Sequence, residues 1–207
     1  MDLATFLYWF DHLGVAVFAI SGTLLAFRKS MDGVGAIVLA TVTAIGGGTT
    51  RDLILGLPVF WVYDPLYLYT IATAVILTVI WLRYKAFIHQ QTLQIADAVG
   101  VAFFTVLGAL KTAEAGFSPL ICIIMGTMTA CFGGMLRDVL ARDIPMVLKG
   151  ELYATTCIIG GTVFVLLAPY SQLTAIIFGG LTTLLIRLGA IRWRWSLTVF
   201  HDQDGFR

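Results

Sequence analysis

Charge is scarce in this chain. Of its 207 residues, 12% are Asp, Glu, Lys or Arg and 59% are hydrophobic, whereas a soluble domain carries about a quarter charged residues. That shortfall excludes an ordinary soluble protein and marks an integral membrane protein. Catalytic signatures are missing too: no Walker-type phosphate loop, no HExxH and no GxSxG occurs. No enzyme activity, cofactor or bound metal is therefore expected. The three cysteines, Cys122, Cys131 and Cys157, lie in apolar runs without CxxC spacing or a flanking histidine, as buried structural thiols do. His12, His89 and His201 are scattered near the ends of apolar runs, where surface or interfacial roles are expected. Glu114 and Glu151 read as loop residues, and no carboxylate stands alone in mid-span as a proton-coupled carrier would need. The N-terminal MDLATFLYWFDH is acidic and lacks the basic segment of a cleavable signal peptide. A net charge of +1 gives no sign of nucleic-acid binding.

Long apolar runs are plentiful. A span needs about 20 mostly apolar residues, and seven candidates follow one another: 3–27, 34–57, 66–82, 95–110, 119–140, 152–168 and 173–191. Aromatic residues Phe60, Trp61 and Tyr63 follow the second, and RWRW, Arg192 to Trp195, follows the last, in keeping with membrane-interface anchors. The tail FHDQDGFR is polar, and no linker is long enough to hold a soluble domain.

The most informative stretch is TVTAIGGGTTRDLILG, Thr41 to Gly56. Three glycines, Gly46, Gly47 and Gly48, precede Thr49, Thr50 and the charge pair Arg51 and Asp52. Each glycine lowers helix propensity by about 1 kcal/mol relative to alanine, so the run predicts a bend or break. Charge at membrane depth costs about 3 kcal/mol or more and marks a functional site by default. A second copy, TMTACFGGMLRDVL, starts at Thr127. A shift of 86 positions places Thr41 on Thr127, Gly47 on Gly133, Gly48 on Gly134, Arg51 on Arg137 and Asp52 on Asp138. The same shift places DHLGVAVFAISG (Asp11 to Gly22) on DAVGVAFFTVLG (Asp97 to Gly108), Tyr67 on Tyr153 and Thr70 on Thr156. One offset satisfied in three separate segments establishes an internal duplication.

Basic residues accumulate in cytoplasmic loops. With the N-terminus outside, Arg28, Lys29, Arg83, Lys85, Arg142, Lys149, Arg192 and Arg194 fall inside and only Lys111 falls outside, so N-out and C-in is expected. A unit of three helices followed directly by its copy must be inverted. The expected fold is thus all-α, with seven transmembrane helices as two inverted three-helix repeats (residues 1–90 and 91–171) plus a seventh helix and tail (172–207). Such folds place their pathway at the repeat interface, lined by discontinuous helices.

Matched depth suggests that Asp11 neutralises Arg51 and that Asp97 neutralises Arg137, giving one ionic cluster at each mouth. These pairs can be structural pins, shapers of the field along a pore, or both. For Gly14, Gly22, Gly100 and Gly108, close helix packing is the expected role. For Gly46–Gly48 and Gly133–Gly134 a backbone break is expected, whose freed carbonyls could replace part of a cation's hydration shell. Thr41, Thr43, Thr49, Thr50, Thr127 and Thr129 could add hydroxyls, or bond back to their own helix.

GGGTTRD at Gly46, GGMLRD at Gly133 and the repeated D-x-x-G-V-A-x-F at Asp11 and Asp97 resemble the bacterial branch of the trimeric intracellular cation channels. Sequences of this branch are also grouped under a glycine-transporter domain name. The resemblance covers almost the whole chain. It implies a homotrimer in the inner (plasma) membrane with an hourglass pore in each protomer, framed by kinked second and fifth helices and passing K+ and Na+. It also implies that Gly46, Gly47, Gly48, Gly133 and Gly134 are the kink residues, with Arg51, Asp52, Arg137 and Asp138 beside them. Phe132 stands where the first triplet has Gly46, a departure from the pattern. The rival expectation is a secondary transporter of a small zwitterion such as glycine, with Arg51 or Arg137 holding the substrate carboxylate.

Overall fold

The computed structural model describes residues 2–84, 90–150 and 152–196. Lys85, His89, Glu151, His201 and the FHDQDGFR tail, which carry some of the expectations above, lie outside the described residues. The described residues form helices α1 (Leu3–Arg28), α2 (Gly33–Leu55), the one-turn α3 (Phe60–Tyr63), α4 (Leu66–Arg83), α5 (Gln90–Glu114), α6 (Pro119–Leu140), α7 (Ala154–Leu167) and α8 (Gln172–Trp193). A 3-10 turn, Met146–Leu148, precedes α7.

Six of these helices are long and apolar enough to cross a membrane. Helix α7 has 14 residues, a rise of about 21 Å, and is shorter than the predicted sixth span. Helix α5 starts at Gln90 rather than Ile95 and ends at Glu114, so Glu114 closes a helix instead of belonging to a loop. The ends follow local chemistry. Asp2 and Asp32 accept N-terminal amides of α1 and α2, Pro119 opens α6, and Gly56 closes α2 with φ +67°. Side chains such as Val34, Ile37, Ile76, Leu77, Ile80, Leu120, Phe178 and Leu185 lie exposed on the outside, as a lipid-facing surface requires.

Reciprocal contacts show that the two repeats, α1–α2–α4 and α5–α6–α7, are inverted. Gly47 of α2 lies against the carbonyl of Thr129 in α6, and Gly133 of α6 lies against the carbonyl of Thr43 in α2. As the number rises along α2 it falls along α6, so the helices cross antiparallel. Helices α1 and α5 repeat the pattern: the Phe18 ring covers Gly100, and Gly14 lies against Phe103 and Phe104. The Phe18 and Phe104 rings meet at 5.0 Å between centroids. Residue i touching j' while j touches i' is the mark of a two-fold relation, here between the halves of one chain. Helix α8 breaks that symmetry: it packs on α5 and α7, with Ala175 and Ile176 buried beside Val106, Leu110 and Phe164.

Within each repeat the small residues bring backbones together. A Cβ on Gly22 would sit 2.7 Å from Ala40 Cα, and one on Gly108 would sit 3.0 Å from Gly126 Cα. These two glycines do what the sequence predicts of them.

Candidate functional site

The glycine runs are not broken helix. Helices α2 and α6 continue through Gly46–Gly48 and Gly133–Gly134, and the described residues show no positive φ there. Gly47 and Gly133 serve instead the backbone-to-backbone crossing of α2 on α6, while Gly46 meets the Leu136 side chain, Gly48 the Phe60 ring, and Gly134 the Tyr153 hydroxyl and Asp97. An intact helix satisfies its own amides and carbonyls, which an apolar setting demands, while the missing Cβ admits the neighbour. The threonines follow the same logic: Thr41, Thr43, Thr49, Thr50 and Thr129 each donate to the carbonyl four residues back, at 2.6–2.8 Å. Thr49 also accepts a hydrogen bond from Trp61 Nε1 at 3.0 Å, tying the interfacial aromatic loop to α2.

Beyond the glycines, each Arg–Asp pair makes the same local structure. Arg51 donates through Nε (2.9 Å) and Nη2 (2.7 Å) to Oδ1 of its neighbour Asp52, whose Oδ2 accepts the Phe60 amide at 3.1 Å. Arg137 donates through Nε to Asp138 Oδ1 at 2.9 Å, and Asp138 Oδ2 accepts the Met146 amide at 3.0 Å. Phe60 and Met146 are themselves related by the repeat. Each aspartate thus anchors the short helical turn that caps its half. All four side chains are buried; desolvated ion pairs of this kind are tolerated because each charge meets an opposite charge and the second carboxylate oxygen meets a backbone amide.

The partners of the other two aspartates differ. Arg137 Nη1 reaches Asp97 Oδ1 at 2.8 Å, both side chains being fully buried, and also donates to Ser21 of α1. The expected Asp97–Arg137 pair is therefore present. The expected Asp11–Arg51 pair is not. Asp11 Oδ2 accepts the Tyr67 hydroxyl at 2.7 Å and lies 3.5 Å from Lys111 Nζ. Arg51 is folded onto Asp52, and Lys111, from the last turn of α5, is the cation that reaches Asp11. Sequence reasoning placed Lys111 as a loop-side lysine because charge counting assigns a side of the membrane but no partner.

Other residues were also misjudged. His12 is buried, its Nδ1 3.0 Å from the Tyr8 carbonyl oxygen and its ring stacked on Tyr67 at 4.1 Å. Tyr8 donates to Asp64 at 2.7 Å, which holds the Asp64 carboxyl below its ordinary range. Arg187 of α8 was missed altogether: it is fully buried, lies over the Tyr153 ring at 4.7 Å and donates to the Leu152 carbonyl at 3.2 Å. Arg187, the first of two arginines in GGLTTLLIRLGAIRW, reads as the start of a basic span end, so only its position several residues inside α8 hinted at burial.

A cavity opens at each Arg–Asp pair. One, of about 540 Å³, is bordered by Asp52, Leu57, Phe60, Tyr63, Lys111 and Glu114. The other, of about 60 Å³, is bordered by Asp138, Asp143, Met146, Lys149, Leu25 and Arg28. The repeat offset maps these six positions one to one. The two cavities are therefore related by the repeat, and the Gly47–Thr129 and Gly133–Thr43 contacts pack α2 against α6. At the smaller cavity Lys29 bridges to Asp143 at 2.6 Å. A larger apolar groove, about 800 Å³, is lined by α1, α4 and α5.

An inverted-repeat, multi-pass membrane protein with buried ion pairs at both ends of its repeat interface is the class these observations define. The chain belongs to the bacterial branch of the trimeric intracellular cation channel family. Its fold is similar to the trimeric intracellular cation channel orthologue of Rhodobacter sphaeroides, with TM-score 0.86, 36% identity, and coverage of 92% of this chain and 100% of that one. It is similar also to a prokaryotic channel of the family crystallised in 0.5 M KCl, with TM-score 0.86 and 28% identity over 94% of this chain and 100% of that one. A glycine transporter family model matches twice, at residues 8–83 and 94–169. A UPF0126 membrane protein of Vibrio cholerae is 52% identical over 94% of this chain and 82% of its own length. The UPF0126 inner membrane protein YadS of Escherichia coli is 47% identical over 96% of this chain and 98% of its own.

Proposed function

We infer that the chain is a passive channel for monovalent cations, K+ and Na+, with a pathway inside each protomer. The observation that carries this reading is the pair of repeat-related mouths. Each ends on a buried aspartate held by an arginine, and they are separated by one closely packed crossing of α2 on α6. Opening consists of parting that crossing at Gly46–Gly48, with Thr49 and Thr50, and at Gly133–Gly134. Glycine is the residue that lets a helix bend at such a point at small cost. Asp11, Arg51, Asp52, Asp97, Arg137 and Asp138 then form the ionic clusters at the ends. Arg137 Nη2 and Asp97 Oδ2 are buried without a hydrogen-bond partner among the described residues. They offer a donor and an acceptor to a hydrated ion passing between the helices.

The protomers assemble as homotrimers in the inner membrane, lipid covering the apolar faces, with the N-terminus outside and the C-terminus in the cytoplasm. The likeness to trimeric channels and to an inner membrane protein supports this, as does the distribution of lysine and arginine. The mouth at Arg51 is then external and the mouth at Arg137 internal.

A second reading has one observation in its favour, the twofold match to a glycine transporter model. In it the same inverted interface alternates access to a small zwitterion, whose carboxylate Arg51 or Arg137 holds. Planar-bilayer recording of the purified protein decides between them. Discrete unitary currents in KCl support the channel; saturable glycine uptake without such events overturns it.

A further inference from the structure

The external mouth contains a cation already: the ammonium group of Lys111. Its Nζ is 3.5 Å from Asp11 Oδ2 and 4.8 Å above the centre of the Phe60 ring. The Asp11 carboxylate is held in place by the Tyr67 hydroxyl at 2.7 Å, and Phe60 is fixed edge-on to Tyr67 at 4.6 Å. Carboxylate, hydroxyl and aromatic face together form a receptor for a weakly hydrated monocation. The Lys111 side chain is 30% exposed and Asp11 is 9% exposed, and Lys111 borders the 540 Å³ cavity whereas Asp11 does not. An ion entering from that cavity meets Lys111 before it reaches the carboxylate.

The other mouth lacks the arrangement. There the position of Lys111 is taken by Leu25 and that of Phe60 by Met146, and the carboxylate matching Asp11, Asp97, is bound by Arg137 at 2.8 Å in full burial. Arg51 does not compete for Asp11, because its Nε and Nη2 are both spent on Asp52. So one end has a carboxylate neutralised by a flexible, partly solvated ammonium, and the other has a carboxylate locked to a buried guanidinium.

We propose that Asp11, Tyr67 and Phe60 form a binding site for a monovalent cation at the Arg51 end, and that the Lys111 ammonium is its tethered competitor. The entering ion displaces Lys111, which swings out into the cavity and returns when the ion moves on. Route and direction rest on the channel reading above; the site rests on its own chemistry.

The test uses the full chain in planar bilayers with symmetrical KCl, comparing wild type with Lys111→Met, which keeps the length and removes the charge. Removing a fixed positive charge from a narrow cleft raises the local cation concentration. Current entering from the Arg51 end should rise at least about two-fold, and current from the other end should rise less. Lys111→Arg should restore the wild-type rectification. In an Asp11→Asn background, Lys111→Met should no longer increase the current. Should Lys111→Met fail to fold, Lys111→Gln takes its place. A second arm needs no conduction: crystals of Lys111→Met grown with thallium(I) should show anomalous density beside Asp11 and Phe60, and wild-type crystals should not. Unchanged current and rectification in a conducting protein, or no thallium(I) beside Asp11 in the variant, overturns the proposal. An absence of unitary current in wild type overturns the channel reading instead and leaves the thallium arm to judge the site.

Discussion

The two ends of the repeat interface share a backbone plan and differ in how they settle charge. At one end Asp97 and Asp138 share a single arginine, which also donates to Ser21 from α1. At the other, Asp52 keeps Arg51 to itself, and Asp11 takes a tyrosine hydroxyl and a lysine from the opposite repeat. Duplication therefore preserved the element that holds the turn, Arg–Asp with its capping amide, and released the element that meets the solvent. The first end is a buried pin beside a cavity of about 60 Å³, the second borders a cavity of about 540 Å³.

The largest effect should come from unequal treatment of the two equivalent aspartates. Asp97→Asn leaves Arg137 short of charge in full burial, and breaking a buried pair costs about 3–5 kcal/mol. Asp11→Asn strands only a lysine that can turn to water, so its cost should stay near the 1 kcal/mol of a lost hydrogen bond. Denaturant titration of both variants in detergent measures the gap, and equal losses would erase the difference between the two ends.

Next come the glycines at the crossing. Gly47→Ala and Gly133→Ala each push a methyl group into the facing carbonyl of Thr129 or Thr43, and overpacking of this kind costs about 1–3 kcal/mol. Because the contact is reciprocal, the two should lower the melting temperature alike; a harmless alanine at either site would show that the helices part readily there. Thr49→Val should cost about 1 kcal/mol by leaving Trp61 Nε1 without its acceptor, with a red or blue change in tryptophan emission as the direct readout. The repeat places Met135 opposite Thr49, so no matching effect is expected at the other end.

The smallest effects lie at the surface. Lys29→Ala removes an ion pair in which both side chains are about a third exposed, worth about 0.2–1 kcal/mol and less at high salt. The Tyr8–Asp64 bridge gives a pH signature. With the Asp64 carboxyl held below its ordinary range by the Tyr8 hydroxyl, its stabilisation is complete above about pH 4 and fades as pH falls through the depressed value. Tyr8→Phe should remove that acid-side slope while leaving the melting temperature below it unchanged.

How much could be read in advance divides along the same line. The 86-residue offset, the positions of the seven main helices and the Asp97–Arg137 pair follow from residue pattern alone. The extra turn at the start of α5 was missed because Gln90, Gln91 and Gln94 look like loop in a hydropathy scan, though the helix there is carried by packing of Leu93. The glycine run misled because propensity penalises glycine in an isolated helix, while a neighbouring helix at contact distance reverses the balance.

By itself the sequence determined that the chain lies in a membrane, is duplicated, and is inverted, since hydropathy, a fixed offset and an odd number of spans are properties of order along the chain. Only the tertiary structure decided which cation answers Asp11, that the glycines close a crossing and do not unwind it, and that His12 and Arg187 are buried. Each of those depends on which helices come within a few ångströms of one another, and short-range forces are blind to distance along the sequence.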